Sequence, residues 1–220
     1  MIDREDHRMK RIPVDDVILE GELRSPEGEA TGVVVFVHGS GSSRHSTRNK
    51  FVAVQLRRAG LATLLFDLLT EKEDEIYEAR FDIDLLTRRL LAVTAWLRQQ
   101  PRTKGLAIGY FGASTGAAAA LKAAAAPGQD DVKAVVSRGG RPDLAASDLG
   151  RVKAPTLLLV GGDDAEVIKL NEWAFAELRC PKETVIIPKA THLFEEPGAL
   201  EEVARLAAKW FKKKLRPTVI

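Results

Sequence analysis

The chain has one cysteine, Cys180, among 220 residues, so no disulfide can form within it, and a reducing compartment is the simpler expectation. It has little excess charge: 33 basic and 31 acidic residues leave a formal charge of +2, spread along the chain. That balance gives no extended basic surface for nucleic acid. The one short basic run, "KWFKKKLRP", reads as the solvated end of a helix, where lysines suit the negative end of the dipole. No apolar run approaches the length of a membrane span, and the charged start "MIDREDHRMKRIPVDD" lacks the apolar core of a signal peptide. No partner membrane or nucleic acid is expected, and the default location is cytoplasmic; oligomeric state is left open. There is no internal repeat, no Pro/Gly/Ser linker, and no low-complexity segment beyond a run of alanines.

What the chain has is apolar content, 45% of its residues, enough for one sizeable core. A single domain over residues 1–220 is expected. "GVVVFVHG" is a continuous β-branched run, the pattern of a strand buried on both faces. Similar runs recur as "LATLLFD", "GLAIGYFG", "VKAVVSRGG", "APTLLLVGG" and "ETVIIPKATH". Helical patterns lie between them, over about residues 48–59, 82–100, 115–126, 166–178 and 200–215. Ahead of these, "VDDVILEGELRSP" reads as one or two antiparallel edge strands. Strands alternating with helices predict an α/β fold, a mostly parallel central sheet with helices on both faces.

One stretch carries chemistry. In "GYFGASTGAAAALKAAAA", Gly112 and Gly116 flank Ser114 in the G-x-S-x-G pattern of a nucleophile elbow, where a strand turns sharply into a helix and lifts the serine hydroxyl above the sheet. A buried strand precedes it and an alanine-rich helix follows. Alanine gives that helix high propensity and the smallest side chain for close packing. The alternative is a structural turn whose serine only caps the helix.

A serine hydroxyl needs a base, and the base needs an acid to orient it. Of four histidines, His7 lies in the charged start, His38 ends the first buried strand and His45 sits in the following loop. His192, in "PKATHLFEEPG", follows the last strand, and its loop can return over the sheet's C-terminal edge; it is the expected base. The acid should leave a strand end between serine and histidine, and "LLLVGGDDAEVI" supplies two candidates. Asp164, one step further round the turn, is preferred over Asp163. Glu166 reads as the first turn of the next helix.

The order Ser114, Asp164, His192 is that of the α/β-hydrolases. With "VVVFVHGSGSS", "GYFGASTG", "LLLVGGDD" and "KATHLFEEPG" in sequence, nearly the whole chain resembles that superfamily, most closely its dienelactone-hydrolase-like branch. The resemblance implies an α/β-hydrolase fold without a large cap domain. It implies the backbone amides of Ser40 and Thr115 as oxyanion-hole donors, with Gly41 as the fallback for the first, while His38 and Gly39 shape the loop. Dienelactone hydrolases proper use cysteine where this chain has serine, so a serine esterase acting on small soluble esters is the expected activity, with no metal or organic cofactor. Cys180 stands in the wrong place to substitute for the serine and is expected to pack. Lactone or thioester hydrolysis, acyl transfer, and a non-catalytic binding protein or redesigned scaffold remain as alternatives.

Only "RGGRPDLAASDLGRVK" fills the interval where many relatives insert a lid, which predicts an open site. Arg138 and Arg141 fall at the C-terminal end of a central strand, the edge where open α/β sheets bind ligands. They are candidates to hold an anionic part of the substrate, or else ordinary salt-bridge residues.

Overall fold

The structure is a computed structural model that describes residues 9–216; His7 and the rest of the first eight residues lie outside it. Eight strands form one sheet: β1 (Met9–Val14), β2 (Val17–Arg24), β3 (Val33–Val37), β4 (Ala62–Phe66), β5 (Ile108–Ala113), β6 (Val132–Arg138), β7 (Thr156–Gly161) and β8 (Lys182–Ile187). Their order is β1-β2-β4-β3-β5-β6-β7-β8, antiparallel at β1-β2-β4 and parallel from β4 to β8. The helices are α1 (Thr47–Arg58), the short α2 (Glu71–Asp74), α3 (Ile83–Gln99), α4 (Thr115–Ala125), α5 (Ala165–Glu177) and α6 (Ala199–Lys214).

Every residue of β3, β4 and β5 is buried, which is why those segments read as unbroken apolar runs rather than alternating ones. Alternate side chains feed two cores. On one face Val35, Leu64 and Tyr110 meet Leu90 and Val93 of α3 and the alanines of α4; on the other Phe36, Leu65 and Phe111 meet Val52 and Leu56 of α1 and Val203 and Phe211 of α6. Tyr110 is the one strand residue in the first group with a polar tip, and its hydroxyl meets Thr94 Oγ1 at 2.8 Å.

Two details differ from the expectation. The edge hairpin begins earlier, at Met9, and turns at Asp15, which adopts φ 51°. Gly21 lies inside β2, where an added Cβ would stand 3.1 Å from Ile12 and Phe66. The segment after β4, outside the helical patterns read from the sequence, contains α2 and a 3₁₀ turn over Glu78–Phe81, with a capping box closed between Thr70 and Glu73. The interval before β7 holds a 3₁₀ stretch, Pro142–Arg151, in place of a lid.

The tightest backbone approach is at the start of α4. A Cβ on Gly116 would stand 2.2 Å from the carbonyl oxygen of Val37 at the end of β3, and one on Gly112 would stand 2.5 Å from Ala117 Cα. Neither neighbour is a side chain that can move aside. Gly116→Ala is therefore expected to cost about 3 kcal/mol or more, read as a lowered midpoint in chemical unfolding.

Candidate active site

Ser114 stands between β5 and α4 with φ 50° and ψ −123°, a conformation that costs a non-glycine residue about 1–3 kcal/mol. The surroundings hold it there. Its N–H donates to Arg138 O at 3.3 Å, and its carbonyl accepts from the N–H groups of Ala117 and Arg141, both at 3.1 Å. Its hydroxyl makes no capping bond to α4, so the reading of Ser114 as a mere helix cap does not hold. Gly39 lies directly against it, since a Cβ there would come within 2.9 Å of Ser114 Cβ.

His192 reaches the same sheet edge from the loop after β8. Two non-glycine residues in the left-handed region, Lys189 (φ 61°) and Phe194 (φ 56°), bend that loop, and Phe194 anchors it by burying its ring in the core. The end of β7 is bound to the loop as well: Asp163 N–H donates to Ala190 O at 2.9 Å, and a Cβ on Gly161 would strike that carbonyl at 2.4 Å. Asp164 begins α5 without capping it, which leaves its carboxylate free to accept from His192 Nδ1 at 2.8 Å. Asp163 is exposed and Asp164 largely buried, so geometry separates two neighbours that the sequence offered side by side. With Nδ1 engaged, His192 Nε2 has no hydrogen-bond partner among the described residues. The imidazole lies beside the 138–141 turn that also wraps Ser114, its Cε1 3.5 Å from where a Gly139 Cβ would be. No Ser114–His192 hydrogen bond is formed.

Ser40 and Thr115 are brought together too: the Ser40 N–H donates to Thr115 Oγ1 at 2.9 Å. Thr115 is the first residue of α4, where a backbone N–H has no partner within the helix. The neighbouring Gly41 has φ 67°. His38 is buried, accepting from Leu68 N–H through Nε2 at 3.1 Å and facing Gly39 O through Nδ1 at 3.0 Å. Those contacts require the neutral Nδ1–H form, and burial holds its pKa below the ordinary value. It ties the loop after β3 to the end of β4. His45 is exposed, 3.5 Å from Lys50 Nζ. Cys180 is buried at the opposite edge of the sheet, with its thiol on Thr156 Oγ1 at 3.6 Å.

The two candidate arginines part company. Arg141 is clamped by Asp143 through two bonds, 2.9 Å and 2.7 Å. Arg138 is buried and meets no acid among the described residues. Missing from the sequence reading was Arg48, in the first turn of α1, which pairs with Glu195 of the His192 loop at 2.6 Å. Only its place after "HGSGSS" hinted at a position near the site.

The sequence profile of the dienelactone hydrolase family matches residues 19–215. The chain belongs to that family. It is 56% identical to the dienelactone hydrolase from Anabaena variabilis, with a TM-score of 0.89 over 96% of this chain and all of that one. Est1E from Butyrivibrio proteoclasticus shares the fold at 17% identity and a TM-score of 0.80, over 94% of this chain and 98% of that one. Two Mycobacterium tuberculosis proteins named putative phosphoribosyl transferase are 58% identical over 201 residues, 91% of this chain but 45% of theirs. This family member therefore spans less than half the length of those curated relatives. None of its described helices is long and apolar enough to cross a membrane.

The neutral, buried His38 makes a pH prediction. Below about 6.5 an unfolded His38 takes up a proton that the folded one resists, so the unfolded state binds more protons and stability falls with acidification. Unfolding midpoints measured from pH 7.5 down to about pH 5 are expected to decline less steeply in His38→Gln than in the parent.

Proposed function

We propose that this chain is a serine hydrolase that cleaves small soluble carboxylic esters through an acyl-enzyme on Ser114. The observation that carries the reading is the 2.8 Å pair of His192 Nδ1 and Asp164, with the imidazole beside the turn that wraps the strained Ser114 and Nε2 unengaged. Membership of the dienelactone hydrolase family supports hydrolytic chemistry of this kind.

In this reading His192 Nε2 takes the Ser114 proton as Oγ attacks the ester carbonyl. Asp164 keeps the imidazole in the productive tautomer and stabilises its charged form. The N–H of Thr115, at the positive end of α4, receives the developing oxyanion. Ser40 N–H is the second donor, and it shares or gives up its bond to the Thr115 hydroxyl as the oxyanion forms. His192 then protonates the leaving alcohol, and water resolves the acyl-enzyme by the same route. Rotation of the Ser114 hydroxyl towards Nε2 on substrate binding fits the loose catalytic bonds common in unliganded sites. The chemistry runs on the chain's own groups, in a cytoplasmic setting.

The name phosphoribosyl transferase belongs to proteins more than twice the length of the matched segment, and the reading here concerns that segment alone. Lactone or thioester cleavage, or acyl transfer, would use the same three groups. Competing alcohols added to the assay separate transfer from hydrolysis by their products.

Fluorophosphonate treatment followed by peptide mass spectrometry is expected to label Ser114; a folded sample with no adduct there refutes the proposal. Asp164→Asn is expected to lower kcat for an aryl ester by about 10⁴-fold, as loss of the tautomer-fixing acid does in such triads. Asp163→Asn should change it only a few-fold, and equal losses would remove the distinction between the two aspartates.

A further inference from the structure

The residue that follows the serine carries a hydroxyl of its own. Thr115 opens α4 and is only 3% exposed. The next six residues, Gly116, Ala117–Ala120 and Leu121, have no polar side chain, so the Thr115 hydroxyl is the one side-chain polar group at this end of the helix. Alanine would suit the helix and the close packing better, since β-branching lowers helix propensity and a buried hydroxyl asks for partners. That hydroxyl is half used. Its oxygen accepts the Ser40 N–H at 2.9 Å, and its proton goes to no acceptor among the described residues.

Other buried threonines give their protons to carbonyl oxygens: Thr94 to Leu90 at 2.8 Å, Thr103 to Leu97 at 2.7 Å and Thr156 to Ala154 at 3.0 Å. Thr63 and Thr87 do not, but they lie within β4 and α3, away from the serine. Thr115 differs in its neighbours. Both backbone amides that serve the oxyanion in the hydrolytic reading meet at its oxygen, because one belongs to Thr115 and the other, Ser40 N–H, is bonded to Oγ1. The loop carrying Ser40 is pressed against the serine, with a Cβ on Gly39 falling 2.9 Å from Ser114 Cβ. An oxygen that accepts from both amides stands about 3 Å from each, and so beside Thr115 Oγ1.

We propose that the Thr115 hydroxyl is a third donor to the oxyanion, so that this catalytic residue acts through its side chain as well as its backbone. The proposal rests on the hydrolytic reading of Ser114. The Ser40 N–H occupies a lone pair of Oγ1, which keeps the hydroxyl proton turned away from Ser40 and available. As Ser114 Oγ bonds to the carbonyl carbon, the oxygen that gains the electron pair accepts from Thr115 N–H and Thr115 O–H, and it shares Ser40 N–H with Oγ1. That shared amide polarises the hydroxyl and strengthens its donation. The Thr115 proton stays on its oxygen throughout; the proton that moves is that of Ser114, to His192. A bond to a charged oxygen is stronger than one to a neutral carbonyl, so the hydroxyl favours the transition state over bound substrate.

Thr115→Val keeps the shape and removes the hydroxyl, whereas Thr115→Ser keeps the hydroxyl. With an aryl acetate, Thr115→Val is expected to lower kcat by about 10²-fold while KM moves less than about threefold, and Thr115→Ser to stay within about tenfold of the parent. A hydroxyl that merely parks the Ser40 amide gives the opposite result, since its removal frees that donor and kcat holds or rises. An aryl trifluoromethyl ketone, which Ser114 converts to a tetrahedral hemiketal anion, is expected to bind about 10²-fold more weakly to Thr115→Val. The matching methyl ketone, bound without addition, should lose little. If Thr115→Val does not fold, Thr115→Ala against Thr115→Ser makes the same comparison. A kcat or a trifluoromethyl ketone affinity that survives loss of the hydroxyl, or a Thr115→Ser as slow as Thr115→Val, overturns the donor and leaves the hydrolytic reading standing. A parent in which the fluorine resonance shows no ketone adduct at Ser114 overturns that reading, and the donor with it.

Discussion

The site depends on how closely the backbone at the start of α4 meets the end of β3. Ser114 can hold a left-handed backbone because the chain on both sides is fixed: Gly116 packs on the Val37 and His38 carbonyls, Gly112 on Ala117, and Gly39 on Ser114 itself. A methyl group at Gly116 would push the helix away by an ångström or so, and one at Gly112 or Gly39 would also force a shift. The strain of about 1–3 kcal/mol at one residue is small beside the burial of α4, whose Ala117 to Leu121 are wholly enclosed. The same approach sets the first residue of α4 and the loop carrying Ser40 side by side, with the Ser40 N–H on the Thr115 hydroxyl.

The second half of the site is tied to the first through short, backbone-mediated links. The Gly161–Asp164 turn is stitched to the loop after β8 by Gly162 N–H to Ile187 O and Asp163 N–H to Ala190 O. Phe194 buries the far side of that loop, and Arg48 holds Glu195 from α1. His192 is thus positioned by groups on three elements and remains partly exposed. The 3₁₀ stretch before β7 packs down on α4 and α5, so the edge above Ser114 carries no inserted lid.

Charge pairing differs among the arginines of this molecule. Arg89 and Arg141 are answered by acids and contribute to holding their segments. Arg138 meets no acid among the described residues, although it is about as deeply buried as Arg89. An unanswered buried cation next to a strained serine is an arrangement that folding alone does not favour. The three residues after it form the turn that binds the Ser114 carbonyl and lies beside His192.

The elements and their order were legible in the chain because their causes are local. Continuous β-branched runs mark buried strands, 3.6-residue periodicity marks the helices to within a residue or so, and the paired glycines around Ser114 announce a turn too tight for side chains. The serine, acid and histidine could be ordered from the same signals, since each follows a recognisable strand. The chain put Asp164 ahead of Asp163 only by its place in the turn, and it did not separate Arg138 from Arg141. Asp163 and Asp164 differ by one step around a turn whose direction is set by contacts to Ala190 and Ile187, residues more than twenty positions away. Arg138 and Arg141 have the same side chain at one strand end, and only the fold gives Asp143 to one and leaves the other with Arg48. Sequence by itself determined the architecture, the elbow and the candidate residues, because propensity and hydrophobic period act over a few residues. The tertiary structure alone decided which charges are met and which are left open, because an ion's partner is chosen by distance in space.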